Sequence, residues 1–85
     1  MDVASICELN ELTTDNVYDK PLSDLKEAYK MLFGNGAMKG LSIQIGRNEK
    51  YISQIFSGQF KNEKIEKMLR RQIYNKISIT KEIAV

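Results

Sequence analysis

Residues 37 to 60, AMKGLSIQIGRNEKYISQIFSGQF, hold two short apolar stripes with one glycine between them and another behind them. Leu41 and Ile45 stand four apart, as do Ile52 and Phe56 with Ile55 beside them, so each segment presents one apolar face at helical period. Gly46 falls between the stripes, where a chain leaving a helix through a left-handed residue strains any side chain with a Cβ. Asn48 follows where an N-cap belongs, its side chain placed to accept from an exposed amide of a helix opening at Glu49. Gly58, after Phe56 and Ser57, marks the stop. Helices joined by so short a turn cross steeply, and Ser42 is small enough to let the second approach the first closely.

Eighty-five residues allow one domain with a modest core, since short chains bury a smaller share of their surface. The chain has no histidine and one cysteine, Cys7, so neither a zinc cluster nor an internal disulfide is expected, and no metal or cofactor is assigned. Ser42, Ser53 and Cys7 lack a histidine to activate them, and the carboxylates are scattered over helical faces, which argues against an enzyme. The apolar runs are only a few residues long, too short for a membrane span, and Met1 and Asp2 open no secretory signal. These features place the chain in the cytoplasm.

A net charge of +2 says little by itself, but its distribution says more. Residues 1 to 36 set 3 lysines against 7 carboxylates, a balance of −4, whereas residues 37 to 76 set 9 basic side chains against 3 acidic ones, a balance of +6. The positive charge travels with the glycine-punctuated segment. Lysines and arginines that neutralise phosphates release condensed counterions and give binding that falls steeply with salt; a solvated surface is the alternative reading of the same run.

Around the central pair, a helix is expected to begin near Pro21, a residue tolerated in a first turn, with Leu22, Leu25, Tyr29, Leu32 and Phe33 facing inward. Gly34, Asn35 and Gly36 end it. After Gly58, Phe60 is expected to plug the core from a loop, and a last helix starts with Asn62 as its cap and Ile65, Met68, Leu69, Ile73 and Ile77 as its apolar face. Residues 1–20 form an acidic N-terminal segment in which residues 2 to 12 read as a short amphipathic helix and Thr13 to Asn16 as a loop. Residues 78–85 continue an alternation through Ile77, Ile79, Ile83 and Val85, a strand signal without a partner strand, or a tail. The resulting expectation is an all-α fold, a compact bundle of four to five short helices, with residues 21–77 as the domain that holds the central pair.

Leu41-Ser42, three residues, Gly46, Ile52-Ser53 and Gly58 follow, without a gap, a known pattern. The chain resembles the lambda-repressor-like helix-turn-helix domains (Cro and XRE types) of phage and bacterial regulators, over residues 22 to 77. Gly46 through Arg71 is also similar to the N-terminal domain of phage Mu transposition protein B, in which the same fold precedes an ATPase module; no phosphate-binding GxxxxGK[ST] loop is present in this chain. The resemblance implies double-stranded DNA as the partner and a homodimer, since one copy reads only a half-site.

Carried over position by position, the resemblance places Glu49, Lys50 and Gln54 where the family reads base edges, with Asn48 and Ser53 close to phosphates. Lysine suits guanine O6 and N7, glutamine suits adenine N6 and N7, and glutamate accepts from cytosine N4. Glu49 in a first helical turn also stabilises the macrodipole by itself. Arg47, Gln59 and Lys61 flank the helix where phosphate contacts are usual. The family often anchors a phosphate with glutamine near the start of the first motif helix, and Met38 takes that place here. Gly40 inside the same helix costs roughly 1 kcal/mol relative to alanine. Three functions follow: a repressor-like transcriptional regulator of phage or mobile-element type, a DNA-binding module of a transposition or partition protein, and a protein-interaction domain that keeps the fold without DNA binding.

Overall fold

The computed structural model describes the backbone of residues 2–84 and the side chains up to residue 79. Five α-helices follow one another: α1 (Val3–Leu9), α2 (Leu22–Phe33), α3 (Ala37–Ile45), α4 (Glu49–Ser57) and α5 (Glu63–Ala84). No strand occurs among the described residues. The molecule is an all-α bundle in which α2 packs against each of the other four helices, α3 also packs on α4, and α1 also packs on α5.

The core forms where the stripes converge. Leu25 and Ala28 of α2, Ile52, Ile55 and Phe56 of α4, and Leu69 and Ile73 of α5 are all fully buried. Burying a large apolar side chain contributes about 1.5 to 3 kcal/mol, and these residues set the mutual positions of the helices. The Tyr29 ring lies 5.9 Å from that of Phe56 at a tilt of 55°, and its hydroxyl donates to Gln72 Oε1 at 2.7 Å. Gln72 Nε2 in turn donates to Gln44 Oε1 at 3.3 Å, so a polar chain crosses α2, α5 and α3 at the rim of the core.

Residues 1–20, read from the sequence as a segment ahead of the domain, supply Ile6, Leu12 and Val17 to this same core. Asp2 caps α1 by accepting from the Ser5 amide at 2.8 Å. The helix ends at Leu9, three residues before the apolar stripe predicts, and Leu9 itself is 63% exposed while Leu12 turns inward from the following turn. Glu11 there has φ 51°, and its carbonyl accepts from Asn16 Nδ2 at 2.8 Å.

Three further expectations are corrected. Phe60 does not plug the core: it is half exposed and stacks on Tyr51, with centroids 5.8 Å apart. Phe33 lies at the margin, stacked on Tyr29 at 4.4 Å, and Ala28 takes the inward place beside Leu25 and Leu32. Residues 78 to 84 form neither strand nor tail, because α5 runs through Ala84 and is 22 residues long rather than short. Asn62 starts it well: the Ile65 amide donates to Asn62 Oδ1 and Glu66 Oε2 accepts from the Asn62 amide, both at 3.2 Å. No glycine or proline follows Gly58, and Leu69, Ile73 and Ile77 stay in register at four-residue spacing, so nothing stops the helix. Val85 lies outside the described residues.

Candidate nucleic-acid interface

The turn between α3 and α4 is built by backbone geometry. Gly46 sits in the left-handed region at φ 79°, and its amide and that of Arg47 both donate to the Ser42 carbonyl, at 2.9 and 3.1 Å. A Cβ at this φ would be strained whatever space surrounds it. Asn48, in extended conformation, accepts from the Tyr51 amide at 2.8 Å and so opens α4. At the far end the Gly58 and Gln59 amides close the helix on the carbonyls of Gln54 and Ile55.

With Ile52, Ile55 and Phe56 turned into the core, α4 shows Glu49, Lys50 and Ser57 to solvent, while Ser53 and Gln54 are half-buried along its edges. Ser57 Oγ donates back to the Gln54 carbonyl at 3.0 Å, leaving Glu49, Lys50 and the Gln54 amide as the long polar groups of the outward face. Asn48 is exposed, yet its Oδ1 is committed to the cap.

One flank of α4 is aromatic. The Arg47 guanidinium lies 5.1 Å over the Tyr51 ring, Tyr51 stacks on Phe60, and Asn62 Nδ2 donates to the Tyr51 hydroxyl at 3.5 Å. A cation held over a ring in this way gains about 0.5 to 1 kcal/mol at an exposed site and, more to the point, a fixed direction. Gln59 and Lys61 are exposed just beyond, and Lys61 borders a separate groove of about 250 Å³ shared with Glu66 and Arg70. Arg70 itself is turned inward, donating from Nη1 to the carbonyls of Val17 and Lys20, so this basic group of α5 serves the fold.

The opposite flank carries residues that sequence reasoning assigned to the acidic front. Lys26 Nζ of α2 donates to Ser53 Oγ at 2.8 Å. Lys26, Lys30, Met38, Glu49, Lys50 and Ser53 together line an open groove of about 280 Å³. The spacing of Lys26 and Lys30, one helical turn apart and off the stripe of Leu25, Tyr29 and Leu32, is the signal that places both on one face of α2; a charge balance summed over residues 1 to 36 hides it.

Of the eight residues singled out from sequence, Glu49, Lys50 and Gln54 share the outward side of α4, Asn48 caps its start, Ser53 is drawn towards α2, and Arg47, Gln59 and Lys61 lie on the loops at its two ends. Among the described residues no three carboxylate or thiol side chains converge as a metal site, and no helix is long and apolar enough to cross a membrane. In comparisons with known proteins, the chain matches no family model, no curated protein and no solved structure.

Proposed function

We infer that this chain binds double-stranded DNA sequence-specifically through α3 and α4, as a repressor-like transcriptional regulator of phage or mobile-element type acting in the cytoplasm as a homodimer. The observation that carries this reading is α4 itself: a helix capped by Asn48, held from behind by three buried side chains, and turning Lys50, Gln54 and Glu49 away from the core across a tight turn from α3.

In this mechanism α4 lies in the major groove. Lys50 donates to guanine O6 and N7, Gln54 pairs with the adenine edge, and Glu49 accepts from cytosine N4. Arg47, aimed by its contact with Tyr51, meets the backbone at one end of the helix, and Gln59 and Lys61 meet it at the other. Two copies reading half-sites one helical turn apart supply the affinity that one helix lacks.

Retention of the purified chain on a pool of random-sequence duplexes at two salt concentrations, followed by sequencing, tests the reading. Enrichment of a two-fold motif supports it. Salt-sensitive retention without enrichment points instead to a module of a transposition or partition protein, and no retention to a protein partner.

A further inference from the structure

We propose that the groove between α2 and α4 is a seat for a backbone phosphate of the DNA, formed by Lys26 and Lys30 with the Ser53 hydroxyl, while Lys50 on its α4 edge faces the bases. The proposal rests on the DNA-binding reading above and adds to it a contact made by α2, outside the helix-turn-helix.

Charge comes first. Three ammonium groups line the groove against one carboxylate, Glu49, so the site carries a surplus of two positive charges. No carboxylate among the described residues pairs with Lys26, Lys30 or Lys50. The groove therefore favours an anion, and its openness to solvent beside the reading face favours one presented from outside, as a duplex presents its phosphodiesters when α4 enters the major groove.

Hydrogen bonding points the same way. Ser53 Oγ accepts from Lys26 Nζ, which leaves the hydroxyl hydrogen free to donate. Lys26 is thereby steadied at the rim of the groove with its two remaining hydrogens available, and Lys30 follows one turn later on the same face. Met38, half-buried in the same lining, has no charged or hydrogen-bond-donating side chain to offer from α3, so the charge that fixes the protein on the backbone at this flank comes from α2. Ser53 then acts as a positioning residue for Lys26 as well as a donor.

The test uses the double variant Lys26→Gln, Lys30→Gln, which keeps two good helix formers in α2. Affinity for an enriched duplex is measured over a series of salt concentrations for the parent and the variant, and the tripolyphosphate anion is titrated into both while the Ser53 amide and the lysine side-chain resonances are followed by NMR. Two lost phosphate contacts flatten the slope of log K against log salt by about 1.8, which is about a tenfold smaller loss of affinity between 50 and 200 mM salt, with the preferred sequence unchanged. A parent and variant with equal slopes overturn the seat while leaving DNA binding intact. If the parent ignores duplexes but tripolyphosphate shifts Lys26, Lys30 and Ser53, the anion seat stands and the DNA reading falls. Silence in both titrations overturns both.

Discussion

The guanidinium of Arg70 donates to the carbonyl oxygen of Lys20 across 2.6 Å and 50 residues of sequence. Together with its bond to the Val17 carbonyl at 3.0 Å, this fastens the turn that follows α1 onto the middle of α5. A hydrogen bond to a charged partner contributes roughly 1.5 to 3 kcal/mol, and removing the donor strands two carbonyls. Arg70→Met, which keeps much of the side chain's apolar stem, is expected to lower the unfolding free energy by about 2 kcal/mol in urea titrations. An unchanged midpoint would show that water replaces the guanidinium without cost.

Gly40 and Gly46 make opposite predictions six residues apart. A Cβ at Gly40 meets open space within an ordinary helix, so Gly40→Ala is expected to stabilise the protein by about 0.5 to 1 kcal/mol, raising Tm by a few degrees. Gly46→Ala forces a side chain into the left-handed region and is expected to cost about 1 to 2 kcal/mol. Calorimetry on both variants checks the pair; equal shifts in one direction would contradict the geometry of the turn.

Lys50→Ala is expected to weaken binding to the preferred duplex by about 1 to 3 kcal/mol and to relax the preference at one base position, whereas Lys61→Ala should weaken binding to all sequences alike. Competition assays with single-base operator variants separate the two behaviours. Uniform weakening by Lys50→Ala would move that residue from base reading to backbone contact.

Burial pushes the Tyr29 phenol from 10.0 up to about 12. The native state thus holds this proton more tightly than the unfolded chain does. Its contribution is intact below pH about 10 and is lost as the pH climbs from there to about 12. Ionisation also removes the hydrogen donated to Gln72. The Tm advantage of the parent over Tyr29→Phe is therefore expected to shrink between pH 10 and 12. A gap that stays constant over that interval would mean that Tyr29 titrates as it does in the unfolded chain.

The parts of the fold legible in the sequence are those whose causes are local. Gly46, Asn48 and Gly58 act on amides and carbonyls within a few residues of themselves, so the turn, the cap and the stop can be read off the chain and stand where they were expected. The stripes of α2 and α5 are legible for the same reason. Distance in sequence defeats the rest. Nothing beside Arg70 announces that it bonds to residues 17 and 20, and nothing beside Ser53 announces Lys26. Phe60 reads as core because it is phenylalanine, yet its ring finds Tyr51 at the surface. The alternation of Ile77, Ile79 and Ile83 imitates a strand, but a helix already propagating from Asn62 adds a backbone bond with each residue, and an isolated strand adds none. For the candidate site, the outward face of α4 follows from its own periodicity, whereas its α2 flank requires the tertiary arrangement.

Because α2 is the common neighbour of all the other helices, the molecule has no half that is complete without it. Leu25 and Ala28 at its centre are wholly enclosed, so any opening that frees α4 must also uncover α2, and with it the packing of α1 and α5. The surface that α4 offers is consequently kept or lost with the molecule as one cooperative unit: its amides should exchange with solvent about as slowly as those of α2, and the helix should not fray ahead of global unfolding.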